Sequence, residues 1–284
     1  MPKPRFLHVT CLTLLVAAFP AGALLASEPH DALAAARQYR DRHASQILAA
    51  FSELLAIPNV ARDLDNIERN ARFLRAELEQ RGVESELWRL PDTPPIVYGR
   101  LDVGADRTLG IYVHYDGQPV DESEWVVPPW QPTLYTAALE DGGQPRELPA
   151  AGEEIDPEWR LYGRSTGDDK APFPGIFTAL DALAAHDRVP TSNLVFLFEG
   201  EEEAGSDHLG EYFRQHRADL EVDLWLICDG PVHQSRRPQL VFGVRGYTGL
   251  DITVYGSTRY LHSGHYGNWA PNPAWRLANL LATM

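Results

Sequence analysis

The chain has 284 residues, 44% hydrophobic, 23% charged and 10% aromatic. That ordinary globular composition excludes collagen-like, low-complexity and wholly disordered readings. Against 25 Lys and Arg stand 40 Asp and Glu, a formal charge of −15 with no basic patch, which argues against a nucleic-acid binder. The length allows one large domain, or one and part of another.

Lys3 and Arg5 precede a mostly apolar run from Val9 to Phe19. Pro20 and Gly22 break the run, and the small residues Ala21, Ala23 and Ala26 follow. Residues 1–26 therefore read as a cleaved secretory signal, too short for a stable membrane span, with cleavage after Ala23 or Ala26. A secreted or periplasmic protein is expected. Removing the signal takes Cys11 and leaves Cys228 alone, so no intramolecular disulfide can form. Stability must come from a core, or from metals.

Ile47, Leu48, Phe51, Leu54 and Leu55 recur at helical spacing until Pro58. A second helix is expected from Asp65, with Glu68 as its capping-box partner, Ile67, Ala71, Leu74 and Leu78 as its buried stripe, and Gly82 just past its end. Strands are predicted over Glu84–Leu90, Ile96–Leu101 and Thr108–Val113. The stretch from Pro119 to Trp159, rich in Pro, Gly and acidic residues, is too long for a plain connection and reads as a functional loop or an insertion. A helix carrying Ile176, Ala179, Leu180 and Leu183 follows, then an apolar strand over Leu194–Phe198. A helix around Leu209, Tyr212 and Phe213 leads to a further apolar strand, Leu224–Cys228. Helices alternating with apolar strands predict an α/β layered domain over 27–242, its mixed sheet largely buried between flanking helices. The β-like alternation Gly249 to Tyr255 marks a second, smaller α+β domain from about Gly243, and Ala274–Leu281 reads as a helix in it.

Four clusters carry chemical potential, three of them just past a predicted strand, where α/β sheets collect ligands. In His114-Tyr115-Asp116 the carboxylate can hold the imidazole's second nitrogen and set its tautomer, as at metal sites; the alternative is a surface pair. Asp168-Asp169-Lys170, in a Gly-containing loop before a helix, is either a cation site or an ordinary helix start. Glu199, Glu201, Glu202 and Glu203 repel one another unless solvent or a cation relieves them, and their place at a strand end favours metal. Asp229, ending an apolar strand, reads alone as a cap or turn former. Together they offer one imidazole and several carboxylates on separate segments. That set suits a co-catalytic pair of Zn²⁺, Mn²⁺ or Co²⁺, with a spare Glu as general base.

The motifs His-x-Asp, Gly163-Arg164-Ser165-Thr166-Gly167-Asp168-Asp169-Lys170-Ala171-Pro172 and Glu199-Gly200-Glu201-Glu202-Glu203-Ala204-Gly205-Ser206 resemble those of the carnosinase-type dipeptidases. These belong to the metallopeptidase family that also holds acetylornithine deacetylase, succinyl-diaminopimelate desuccinylase and glutamate carboxypeptidases. Trp125, Pro128, Pro129, Trp130 and Pro132 resemble the dipeptidase branch. The resemblance implies a zinc-exopeptidase-like fold with two divalent metal ions, zinc foremost. It implies that His114 and Asp229 bind the first metal, that Asp168 bridges the pair, that the Asp168–Asp169 peptide is cis, and that Glu203 binds the second. Asp116 then orients His114, and Glu202 is the general base. Tyr260 to Gly267 resembles the family's lid segment, which makes His262 a catalytic residue acting in a neighbouring subunit and implies a homodimer through the lid domain, here 243–284.

The expected function is hydrolysis of a dipeptide or N-acyl amino acid amide bond. The family's last metal ligand is a His near the end of a longer chain, so a sequence ending at Met284 reads as incomplete. Two rival readings follow: a non-catalytic fragment, and a single-metal deacylase using His114, Asp168 and Asp229.

Overall fold

The computed structural model describes residues 29–230 and 232–284; the expected signal at 1–26 lies outside them. Two compact units divide between Pro231 and Val232.

The first unit opens with the helices α1 (Pro29–Leu55) and α2 (Leu64–Gln80). Three strands follow: β1 (Glu84–Trp88), β2 (Ile96–Leu101) and β3 (Thr108–His114). After the short strands β4 (Thr133–Tyr135), β5 (Pro145–Arg146) and β6 (Arg160–Tyr162) comes α3 (Pro172–Ala184). Then β7 (Asn193–Glu199), α4 (Leu209–Gln215) and β8 (Leu224–Ile227) complete it.

The main sheet has the order β1-β2-β7-β3-β8. β1, β2 and β7 pair antiparallel in succession, whereas β3 runs parallel to both β7 and β8. This is the mixed sheet expected. β7 explains why its sequence is continuously apolar. Leu194, Phe196 and Phe198 pack into one cluster with Ile67, Ala71, Leu74 and Leu78 of α2 and Phe173 and Phe177 of α3. Val195 and Leu197 face the other way, among Trp88, Tyr98 and Tyr212. A strand covered on both faces has no use for polar alternation.

The α2 stripe lies where the periodicity puts it, fully buried, and Gly82 takes the positive φ of 74° that a C′ glycine supplies at least cost. Elsewhere the structure corrects the sequence reading. The N-cap of α2 is Asp63, whose side chain accepts from Asn66 N, and Glu68 serves Arg72 and Arg89 instead of a capping box. In α3 the buried residues are Phe173, Phe177, Leu180 and Ala182, while Ala179 faces solvent. The stretch from Pro119 to Trp159 contains its own structure: β4 pairs antiparallel with both β5 and β6 as a small sheet. β8 is apolar without being buried. Among the described residues it pairs with β3 alone, and Leu224 and Ile227 are 64% and 57% exposed.

In the second unit, Gly249 to Tyr255 forms no strand among the described residues. The alternation survives as exposure, with Ile252 and Val254 half-buried between exposed neighbours, but no paired strand supplies the backbone partners a ladder requires. The unit's helices are α5 (Ser263–Tyr266) and α6 (Pro273–Leu281), the latter capped by Asn272. Among the described residues no helix is long and apolar enough to cross a membrane.

The corrected cap is directly testable. Asp63→Ala is expected to destabilise the protein by about 1 kcal/mol in urea unfolding. Asp65→Ala, which removes only a first-turn charge, should cost about 0.3–1 kcal/mol and the smaller share.

Candidate metal centre

Because β3, β7 and β8 run parallel, their C-terminal ends share one edge of the sheet. His114 ends β3 opposite Glu199 of β7, and Tyr112 pairs with Ile227, so Asp229 follows just beyond β8. The loop before α3 delivers Asp168 to the same place. The His114 side chain is 1% exposed, and its Nε2 lies 3.0 Å from Asp168 Oδ1, 3.9 Å from Glu202 Oε2 and 4.0 Å from Asp229 Oδ2.

Two donor groups meet at this imidazole. One joins His114, Glu202 and Asp229; the other joins His114, Asp168 and Glu203, with ligand atoms within 4.8 Å of one another in each. All the metal-ligand residues expected from the sequence thus converge. Glu202, expected only as the base, stands with His114 and Asp229.

Asp116 does more than face the ring. Its Oδ1 is 3.4 Å from His114 Nδ1, too poorly aligned for a hydrogen bond, and Nδ1 is buried without a partner. Its two carboxylate oxygens accept instead from the backbone N–H groups of Glu202, at 3.1 Å, and Glu203, at 3.0 Å. The acidic turn is therefore clamped to the end of β3. Gln118 adds a second hold, donating to Glu203 Oε2 at 2.7 Å.

The four acidic residues after β7 divide by environment. Glu199 is buried and accepts from the Tyr112 hydroxyl, and burial pushes its carboxyl pKa up. Glu201 turns toward His208 Nδ1 at 2.9 Å. Only Glu202 and Glu203, on a short 3₁₀ turn, reach the donor groups.

Asp168 and Asp169 are joined by a cis peptide, as the resemblance implies. Asp168 is 73% exposed at its side chain and meets the ring, whereas Asp169 is buried and accepts from the backbone N–H of His114. Burial raises the Asp169 pKa to about 8, with the charges of Asp229 and Asp168 adding to the rise against the lowering effect of His114.

The sequence reading put Lys170 in the Asp-Asp-Lys cluster without foreseeing its burial beneath the site, and it missed Asn59. Asn59 is fully buried, donates to Tyr115 O and Ser165 Oγ, and accepts from Gly117 N through its backbone. Gly117 has no room for a side chain there, since an added Cβ would sit 2.3 Å from Ser165 Oγ. Lys170 is fully buried as well, and burial pushes its pKa down. No local periodicity announces either residue. In the second unit, His262 caps α5, its Nδ1 accepting from Gly264 N, and lies 3.2 Å from His265 Nδ1.

The donor chemistry fits divalent ions. Asp116, Asp168, Asp169, Glu202, Glu203 and Asp229 crowd one buried imidazole, and none of the ion pairs among the described residues gives any of them a Lys or Arg. Such a concentration of negative charge is what a bound cation relieves.

A mixed α/β sheet that gathers an imidazole and several carboxylates at its parallel strand ends is an arrangement suited to a metal-dependent hydrolase. Residues 110–266 match the model of peptidase family M20/M25/M40, and the chain belongs to that family. The Cys-Gly metallodipeptidase DUG1 of Candida albicans is 30% identical over 260 residues, covering 84% of this chain and 49% of the relative. The human Beta-Ala-His dipeptidase is 27% identical over 310 residues, covering 100% of this chain and 55% of its own. Among solved structures, the M20 family metallo-carboxypeptidase Sso-CP2 from Sulfolobus solfataricus superposes with a TM-score of 0.61 at 27% identity, covering 84% of this chain and 49% of that one. The chain spans about half the length of the curated relatives it matches.

Burial by itself would push the His114 pKa down. Contact with Asp116 and the charges of Asp116, Asp169 and Glu202 outweigh it and hold the ring up at about 10. The metal-free protein therefore keeps this proton at neutral pH, and a divalent ion, which takes the neutral ring, must displace it. Binding is expected to release a proton, and affinity to weaken about tenfold per unit as pH falls below the ring's pKa. Calorimetry at pH 7 in two buffers of different ionisation enthalpy reads that proton; heats that do not depend on the buffer would contradict the expectation.

Proposed function

We propose that the protein hydrolyses the amide bond of a dipeptide or N-acyl amino acid at a two-metal centre, with Glu202 as general base. One observation carries this reading: the buried imidazole of His114 meets Asp168, Glu202, Glu203 and Asp229, four carboxylates from three separate segments, at one edge of the sheet. His114, Asp229, Asp168 and Glu203 would hold the ions, zinc first and manganese or cobalt as alternatives. Bound there, the pair would supply Lewis acidity toward the scissile carbonyl and the attacking water.

The chain's own residues do the rest. Glu202 is 37% exposed at its side chain, so a water can reach it. Burial raises its pKa, and the charges of Asp229, Glu203 and Asp116 add to that against His114, which brings the carboxylate nearer to working pH as a base. It would take the proton of the attacking water and return it to the leaving amine. Asp116 holds Glu202 in place through its backbone and sets its carboxylate beside His114. Dipeptides are the favoured substrates because the relatives are named as dipeptidases. His262 would act from the lid of a second copy, donating to the oxyanion as it forms. Export to the periplasm or the outside rests on the pattern of residues 1–26 alone.

In the full-length protein, Glu202→Gln is expected to lower kcat about 10²–10⁴-fold while metal content by elemental analysis stays near wild type. Near-full turnover by that variant would refute the base assignment. The shared site has its own test. Mixing Glu202→Gln and His262→Ala subunits should rebuild one intact site per mixed dimer and recover about a quarter of wild-type activity, as random pairing across a two-fold requires. No recovery would mean that His262 serves its own subunit, and a fully active His262→Ala protein would mean that it serves none.

A further inference from the structure

We infer that His265 is a positioning residue that sets the tautomer of His262, keeping the proton on Nε2 so that this nitrogen donates to the oxyanion. The inference rests on the reading of His262 as the oxyanion donor.

A neutral imidazole has one donor nitrogen and one acceptor nitrogen, and which is which follows from the bond that either of them makes. The α5 turn decides it for His262. Gly264 N lies 3.1 Å from His262 Nδ1, and a backbone N–H can only donate, so Nδ1 carries the lone pair. His265 Nδ1 lies 3.2 Å from that same nitrogen. Two bare ring nitrogens so close would repel, so the hydrogen between them belongs to His265. The two donors share one lone pair, and both contacts are longer than the usual N–H hydrogen bond of about 2.9–3.0 Å. Neither leaves room for a proton on His262 Nδ1, which puts it on Nε2.

The partner ring is itself held. His265 N donates to His262 O at 3.0 Å, and Trp269 Nε1 donates to His265 O at 3.0 Å. The two imidazoles stand edge to face, their centroids 5.0 Å apart at 71°. His262 is exposed, and among the described residues its Nε2 makes no hydrogen bond, so that proton is left for an incoming group. Bonds accepted at Nδ1 also polarise the ring and strengthen Nε2–H as a donor. Gly264 supplies its bond from the backbone; His265 is the side chain whose chemistry sets the direction of the second.

The test compares His265→Asn and His265→Asp in the full-length protein, with the dipeptide Cys-Gly as probe. The two replacements have the same shape. Asn puts an amide N–H where His265 Nδ1–H stands, whereas Asp can only accept and calls for a proton on His262 Nδ1. Asn should keep kcat within about twofold of wild type, and Asp should lower it about tenfold or more with KM little changed. His265→Ala should fall between them and serves if the Asp variant does not fold. In a His262→Ala background, His265→Asp should add no further loss, because its effect runs through His262. Solid-state NMR of ring-labelled histidine reads the tautomer without activity, with His262 identified by difference against His262→Ala: the proton should sit on Nε2 in wild type and His265→Asn, and on Nδ1 in His265→Asp. Equal turnover by the Asn and Asp variants, additive losses in the double variant, or a wild-type proton on Nδ1 would overturn the inference. If His262→Ala itself turns over normally, the reading of His262 as oxyanion donor fails and the role of His265 with it; if His262→Ala is impaired and Asn and Asp behave alike, only the role of His265 falls.

Discussion

The parallel pairing of β3 with both β7 and β8 is the constraint on which the rest of this structure depends. A parallel ladder sends strand ends to one side, and the apolar cores on both faces of β7 hold its register. Tyr112 stands opposite Leu197 and Ile227 at once, so His114, the acidic turn and Asp229 emerge together. A slip of one residue in β3 would turn His114 to the other face of the sheet. The site is therefore a consequence of core packing several residues away from it.

At that edge the chain concentrates carboxylates around one imidazole that solvent scarcely reaches. Such an arrangement is unfavourable unless positive charge answers it, and among the described residues the ion-pair partner of these carboxylates is the protonated His114. The same field that holds the proton on the ring attracts a divalent ion in its place. Carboxylates of identical chemistry are sorted by where the backbone leaves them. Asp116 and Asp169, both buried, bind backbone N–H groups and shape the site, whereas Asp168, Glu202, Glu203 and Asp229 remain accessible enough to serve as donors.

A second support lies beneath the site, in the segment between α1 and α2. Asn59 and Asn70 are fully buried side chains with partners in several elements, and polar groups so placed must be satisfied or the fold loses stability. Their bonds connect the helical layer to the loops carrying the donors. The centre thus rests on the sheet from one side and on a helix junction from the other.

How much of this was legible in the sequence follows from the range of the interactions. The helix stripe at Ile67, Ala71, Leu74 and Leu78, the strand Ile96–Leu101 and the doubly buried Leu194–Phe198 were readable, because periodicity and apolar runs are local signals. His114, Asp168, Glu203 and Asp229 could be named as candidate ligands, and Glu202 as candidate base, through the resemblance that their motifs carry; Asp229 alone reads as a cap or turn former. The cap at Asp63, the small sheet within 119–159 and the exposure of β8 were not, since a cap competes with near neighbours and exposure depends on what else packs there. Nor were Asn59 and the buried place of Lys170 beneath its own motif, because partners of the two lie 106 and 116 residues away along the chain. The sequence by itself determined which atoms were available and the local direction of each segment. Only the tertiary structure decided which carboxylates face one imidazole and which hold the backbone, because strand order, register and burial are set by contacts between residues remote along the chain.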